Sequence, residues 1–339
     1  MNSYFRDLLH MSYKQNKLQS LFCPIIMILR QEKSGDYNYG LQEKYVVIQT
    51  SVGEELLCIP SPLFLNEAEN LLKAINENDG AFGVPQIEKF VNNVTCNSLN
   101  SKSSNKTDIR IILHDRRAKI NAELGYSIKS KLGADSTLIN SNKDGTNFVY
   151  KIHGVSAEQV VSFNALDRFK KKFDYLKSIG ATISYYQTAN RILHQNLTLL
   201  DLGIERIIAD SLLDYYGGNG RTLAEITEHI SKADPLNIAR DTDQPMYAYK
   251  VKQLLLAFAL GMTSSSPWYG NFHANGGYIV VKEDGDIICY HFFDRNDLEE
   301  YLFYNTRFET PSTLRHHFGE IYQENGEYFL KLNLQVRFK

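Results

Sequence analysis

Asp108 and Lys129 are the residues whose types and placement best suit a reaction. They lie in the stretch Thr107–Lys131, TDIRIILHDRRAKINAELGYSIKSK. Two strand-like runs are expected there, Thr107–His114 and Glu123–Lys131. Side chains alternate faces along a strand, so Asp108, Arg110 and Ile112 share one side. Glu123, Gly125, Ser127 and Lys129 likewise share one side of the second run. An antiparallel hairpin turning near Ala118-Lys119 sets Asp108 opposite Lys129, and one extra loop residue would shift that register. The chemistry such a pair suits is phosphodiester cleavage. A carboxylate holds Mg²⁺, a hard cation that prefers oxygen, and the metal polarises phosphorus and acidifies a bound water. An adjacent ammonium stabilises the developing negative charge. An Asp at a strand start and a Lys at a strand end are also common surface features, so the pair alone is a weak signal.

Several elements must hold this pair in place. Residues 1–80 read as mainly helical around a short strand pair, Tyr45–Thr50 and Leu56–Pro60, joined through Val52-Gly53-Glu54. Asn66–Asn76 has helical spacing. Pro85–Asn93 reads as a short helix with proline in its first turn. Asn97–Lys106 is a polar loop. After the hairpin come a polar loop, Asn140–Gly145, and a β-rich run, Asn147–His153. One long amphipathic helix over Ser156–Ile179 and a further β-rich run, Ala181–Tyr186, follow. This order predicts a mixed sheet with a crossover helix. Residues 195–262 are helical, with Tyr247–Gly261 apolar enough to be buried. Tyr278–Phe293 is a hairpin, Asp297–Phe303 a helix capped by Asn296, and Glu320–Phe338 a hairpin turning at Asn325-Gly326.

The chain has 339 residues, 43% hydrophobic and 22% charged, with a formal net charge of −2. That balance does not advertise a nucleic-acid partner, so a DNA enzyme of this composition must gather its cations locally. Cys23, Cys58, Cys96 and Cys289 show no zinc spacing and read as reduced, mostly buried thiols. No secretory leader or membrane span is evident. These features predict a cytoplasmic protein.

A wider set of residues changes the weight of the Asp108–Lys129 pair. Glu123-Leu-Gly-Tyr-Ser-Ile-Lys-Ser130, Leu132-Gly133, Thr137–Asn140 and Thr146–Tyr150 resemble the HpaII family of type II restriction endonucleases. So do Gly277–Val281, Cys289–His291, Tyr301-Leu302, Asn305–Phe308 and Leu332–Phe338. The resemblance runs from about residue 85 onward and is much weaker over 1–80. It implies an α/β (mixed α+β) fold of the PD-(D/E)XK nuclease type, a central mixed sheet flanked by helices, with a C-terminal β-containing lobe. Four segments are expected: 1–84, helical with a hairpin; 85–190, the nuclease core; 191–262, helical; and 263–339, a lobe contributing to DNA recognition. The implied activity is Mg²⁺-dependent cleavage of double-stranded DNA at a short palindrome, CCGG being the name-giving member's site. A palindrome implies a homodimer, and the family implies a cognate methyltransferase.

The superfamily motif expects an acid two residues before its lysine, and Ser127 stands there. Glu88 is the first candidate for the second metal carboxylate. Glu123 is the second, although six residues at roughly 3.3 Å each put it about 20 Å from Lys129. The carbonyl of Ile128 offers a further oxygen ligand.

Reading base edges calls for Arg, Lys, Asn or Gln. Arg295, Asn305, Arg307 and Arg315 are candidates, with Lys131, Asn140 and Asn147 near the catalytic strand; the bland alternative for each is a solvated loop or helix position. Lys170-Lys171-Lys172 reads as a solvated helix face. His316-His317 lacks partners for a metal site. Gly217–Gly220 lacks a P-loop's context, and Ser127 with Lys129 lacks the surroundings of a Ser-Lys hydrolase. Two other readings use the same residues: a structure-guided or repair nuclease without sequence preference, and a DNA-binding module that never cuts, which the missing acid at Ser127 keeps open.

Overall fold

The computed structural model describes residues 26–28, 37–42, 44–50, 52–78, 83–95, 106–115, 120–130, 135–142, 145–240, 242–282, 287–291 and 295–339. The chain divides into two compact units, Met1–Asp135 with His273–Arg295, and Ser136–Phe272 with Asn296–Lys339.

The first unit contains a short strand, β1 (Ile26–Ile28), and an antiparallel meander of β2 (Tyr37–Gln42), β3 (Tyr45–Thr50) and β4 (Glu55–Pro60). The β3–β4 pair is the expected hairpin. Gly53 turns it at φ 88, a left-handed conformation open to glycine without steric cost. Helices α1 (Ser61–Glu77) and α2 (Pro85–Asn93) follow, each with proline in its first turn. Ile87, Val91 and Val94 pack onto Ile48, and Phe64 meets Phe90 edge to face with ring centroids 5.0 Å apart. The described part of residues 1–80 carries strand and helix in similar measure, with one strand beyond the expected pair in its meander. The missed strand β2 is fixed by cross-strand partners such as Tyr39 opposite Ile48, a non-local pairing that a local helical period cannot register.

The larger sheet of this unit has the order β1-β5-β6-β10-β11, adding β5 (Ile109–Asp115), β6 (Ile120–Ser130), β10 (Gly277–Val281) and β11 (Ile287–His291). All its pairs are antiparallel except β6 with β10, which is parallel. The sheet is mixed, as expected, but the parallel neighbour of β6 comes from residues 277–281 and not from the β-rich runs between 147 and 186. Glycine allows β10 to approach its other neighbour, β11, closely. Gly277 sits at φ +125, and a Cβ there would lie 2.0 Å from the Tyr290 carbonyl oxygen.

The second unit holds two further sheets. Strands β7 (Thr137–Ile139), β12 (Thr306–Phe308) and β15 (Val336–Phe338) pair in the order β12-β15-β7. Strands β8 (Asn147–His153), β9 (Thr182–Thr188), β13 (Ile321–Glu324) and β14 (Glu327–Asn333) pair in the order β13-β14-β8-β9. Asn325 and Gly326, at φ 53 and 81, form the expected turn between β13 and β14.

The long helix expected over 156–179 is two: α3 (Ala157–Asn164) and α4 (Phe169–Ser178). A capping box at Ser156 and Gln159 starts the first. At its end the Asn164 amide turns aside to exchange hydrogen bonds of 2.9 and 2.8 Å with the Ile321 backbone, a tertiary contact that wins over continued helix. Lys172 also departs from expectation. It is buried, donates to the Gly319 carbonyl at 2.6 Å and lies 5.0 Å from the Phe163 ring centroid, so it is not part of a solvated face.

Helices α5 (Arg191–Leu200), α6 (Ile204–Gly217), α7 (Leu223–Ala233) and α8 (Met246–Leu260) make up the expected helical region, with α8 buried along Leu254–Leu260. Helix α9 (Arg295–Tyr304) begins before Asn296, which therefore lies inside the helix and does not cap it, and α10 spans Thr313–His316. No helix among the described residues is long and apolar enough to cross a membrane. Cys58 is exposed and Cys289 half-buried, which corrects the burial expected of them; Cys23 and Cys96 lie outside the described residues.

Candidate active site

The β5–β6 hairpin runs in register from Ile109 opposite Tyr126 to Asp115 opposite Ile120. Just beyond the last paired residue, the Asp108 amide donates to the Tyr126 carbonyl at 2.9 Å. Asp108 therefore adjoins Tyr126 and Ser127, and not Lys129, which lies further along β6. The pairing is centred between Arg117 and Ala118, so the register differs by two from the symmetric one expected about Ala118-Lys119. Because side chains repeat every second residue, a two-residue offset leaves the faces unchanged. Lys129 remains on the face of Ser127, one position further along.

This offset gives Ser127 a specific task. Its hydroxyl donates to Asp108 Oδ2 at 3.1 Å, and the Ile128 amide donates to the same oxygen at 2.7 Å. Ser127 is 1% exposed, whereas Asp108 is open to solvent. With Oδ2 holding two donors, Oδ1 accepts no hydrogen bond among the described residues. A strand residue presents its N–H and C=O to the same edge. The Ile128 carbonyl thus lies on the edge where its amide meets Asp108.

Two lysines adjoin this carboxylate. Burial lowers the pKa of Lys129 while the negative charge of Asp108 raises it. Its Nζ lies 5.8 Å from the centroid of the Tyr278 ring, on the strand that pairs Val280 with Lys129. Lys106 is brought down to about 8, by burial first and then by Lys129, with Asp108 opposing. Lys106 was not picked out from sequence, although its spacing of two from Asp108 was a usable signal. Gly125 lets the chain close over the site. A Cβ there would come within 2.7 Å of the His273 carbonyl, to which Thr107 donates at 2.8 Å. Asn275 Oδ1 accepts the Gly125 amide at 2.8 Å, and the Gly125 carbonyl accepts from Gly276 at 2.7 Å.

Glu88 is exposed on α2, whose other side packs into the Ile48 cluster. Among the described residues no three His, Cys, Asp or Glu side chains converge as a metal cage. The donors present still suit one small hard cation, because Mg²⁺ keeps several waters and needs only one or two protein carboxylates beside phosphate oxygens. Asp108 Oδ1 and the Ile128 carbonyl are oxygens of that kind. The side chain of Glu123 lies outside the described residues, as does Lys131.

The remaining residues expected to meet DNA separate into groups. Asn147 is fully buried. Its amide donates to the His316 carbonyl at 3.1 Å and accepts from Asn333 at 2.6 Å, so it serves the fold and is withdrawn from the DNA-facing set. Arg295 is exposed at the first position of α9. Asn305 donates to the Tyr301 carbonyl at 2.9 Å at the end of that helix. Arg307 pairs with Glu309, which Arg221 also reaches at 3.4 Å. Asn140 and Arg315 come together, since both line one cavity of about 610 Å³ within the second unit. Ser141, His316, Gln335 and Arg337 line it too. Gln335 and Arg337 were not singled out, although the Leu-Gln-Val-Arg alternation places both on one face of the chain.

The family model described as HpaII restriction endonuclease matches residues 6–338. A type II restriction enzyme, HpaII of Haemophilus parainfluenzae, is 40% identical over 325 residues, spanning 95% of this chain and 90% of that protein. No solved structure matches this chain.

Proposed function

We propose, from the premise that this chain belongs to the HpaII restriction endonuclease family, that Asp108 and Lys129 form the centre at which it cuts DNA. The chain is a type II restriction endonuclease, a site-specific deoxyribonuclease. The observation that carries the assignment is the clamp on Asp108. Ser127 and Ile128 fix one carboxylate oxygen and leave the other open near a half-buried lysine. The mixed sheet that supports this hairpin fits the PD-(D/E)XK arrangement.

In this reading Asp108 Oδ1 and the Ile128 carbonyl would hold Mg²⁺, an ion that needs few protein oxygens. The bound ion supplies Lewis-acid polarisation and a more acidic water. Lys129 orients the attacking water and meets the negative charge that develops on the phosphate, an effect strengthened by its partial burial. Lys106 adds positive charge near the same phosphate. Ser127, in the position of the superfamily's acid, orients Asp108 without binding metal. Glu88 remains the proposed source of a second carboxylate.

The substrate is double-stranded DNA with a short palindromic site, and CCGG is the first sequence to test. Two active centres are required to break both strands of a palindrome, so the enzyme works as a homodimer. A cognate methyltransferase protects the host's own copies of the site, and the pair acts in the cytoplasm.

The experiment is digestion of unmethylated phage DNA with and without Mg²⁺, by wild type and by Lys129→Ala. Discrete, metal-dependent bands from wild type are expected, with the variant reduced by at least roughly 100- to 1000-fold, as for loss of other electrostatic stabilisers. A variant that cuts at the wild-type rate removes Lys129 from the centre. A smear in place of bands favours a nuclease without sequence preference.

A further inference from the structure

The cavity in the second unit holds side chains whose polar groups have no use within the fold. Gln335 is only 7% exposed, yet its amide makes no hydrogen bond among the described residues, while its backbone carbonyl accepts from Glu309 at 3.1 Å. The amide's polar atoms reach the open space of the cavity, so they are available to a partner that is not part of the chain. His316 shares Nε2 with the Ser141 hydroxyl at 3.3 Å, but its buried Nδ1 has no hydrogen-bond partner. The Arg315 guanidinium makes no hydrogen bond or ion pair among the described residues. Asn140 adds a second amide to the same wall.

The mixture of groups narrows the ligand. A phosphate offers only acceptors and carries negative charge. Here two amides present an acceptor as well as a donor, and the Glu309 carboxylate lines the wall. Those acceptors are wasted on phosphate. A nucleobase edge matches the set, because bases present donors and acceptors side by side, and arginine pairs bidentately with the O6 and N7 of guanine.

We propose that this cavity is a base-reading site, in which Arg315 donates to a guanine edge in the major groove and the Gln335 amide reads an adjoining base. The assignment rests on the reading that the enzyme recognises a short duplex sequence, and it names the residues that do so within the second unit.

The test measures binding in Ca²⁺ without Mg²⁺, comparing a duplex carrying the wild type's own cleavage site with a scrambled duplex. The proteins are wild type, Arg315→Ala and Gln335→Leu. For each variant the affinity for the cognate duplex is expected to fall roughly 5- to 150-fold, with affinity for the scrambled duplex and its salt dependence unchanged. Gln335→Leu gives up no hydrogen bond, so its melting temperature should equal or exceed that of wild type. Arg315 is exposed near the end of a short helix, so Arg315→Ala keeps the test open if the buried variant fails to fold. Replacing the site's guanines with 7-deazaguanine should weaken wild type and leave Arg315→Ala indifferent.

Equal weakening on both duplexes with a salt slope reduced by about one identifies a phosphate contact and overturns the proposal. So does a recognition site without guanine, or variants that discriminate as well as wild type. In each of those cases a wild type that still gives discrete bands leaves the restriction reading standing. A wild type that shows no preference for any duplex overturns that reading and this assignment together.

Discussion

Replacing Ser127 with alanine tests the proposed division of labour at the active centre. The serine side chain is buried, and alanine fits the same space without a clash. What is lost is one hydrogen bond, from Ser127 Oγ to Asp108 Oδ2 at 3.1 Å. Hydrogen bonds to charged groups contribute about 1.5–3 kcal/mol, which corresponds to roughly 10- to 150-fold in rate if all of it is felt in the transition state. Two features favour the lower end of that range. Asp108 is exposed, so water replaces part of the lost bond, and the Ile128 amide still holds the same oxygen at 2.7 Å.

The expected result is therefore a fall of about tenfold in single-turnover cleavage, with cognate-duplex affinity in Ca²⁺ unchanged. The Mg²⁺ concentration for half-maximal rate should rise, because a less constrained carboxylate holds metal less well. Threonine should restore most of the rate by returning the hydroxyl. Two outcomes would refute the reasoning. A wild-type rate and metal midpoint for Ser127→Ala would show that the clamp does not matter. A loss as deep as that of Asp108→Ala would mean that Ser127 acts directly in the reaction.

Chelation with EDTA should stop cleavage while leaving the thermal midpoint and circular dichroism unchanged, since no cage of described side chains depends on an ion to fold; a large drop in melting temperature would reveal a structural metal. Gly277→Ala should destabilise the first unit by about 3 kcal/mol or more, from left-handed strain together with a Cβ placed 2.0 Å from the Tyr290 carbonyl; a urea midpoint equal to wild type would contradict the close approach of β10 to β11. Asn147→Ala should cost about 1–3 kcal/mol in urea denaturation, because it strands a buried Asn333 donor, and should not change sequence preference in the stable fraction; altered preference would return Asn147 to the DNA-reading set.

Local chemistry made much of this molecule legible from its residues. Pro85 at a helix start, Gly53 and Asn325-Gly326 at turns, and the paired strands of the β5–β6 hairpin each depend on a few neighbouring residues, and each emerged as read. What escaped depends on partners far along the chain. Strand β2 is defined by its pairing with β3, the break between α3 and α4 by the grip of Asn164 on Ile321, and the burial of Lys172 by the Gly319 carbonyl. The hairpin register illustrates the limit most directly. Alternation fixed which residues share a face, but the turn centre, which no pattern encodes, decided that Asp108 meets Ser127. Lys106 escaped for a different reason: it lies at the end of a Ser/Asn/Lys loop, where a lysine reads as solvated until the fold half-buries it.

The parallel pairing of β6 with β10 has a consequence in time. Val280 lies beside Lys129 but is made about 150 residues later, or roughly 8–30 s at ordinary rates of synthesis. A chain still on the ribosome can close the β5–β6 hairpin early, since its contacts are local. The strand that carries Tyr278 to the side of Lys129 is added only after the whole stretch 136–272 has been translated. Closing so long a loop is a slow step in folding. Nuclease activity should therefore emerge late and abruptly, with nascent chains halted before residue 277 carrying Asp108 and Lys129 yet remaining harmless to the DNA around them.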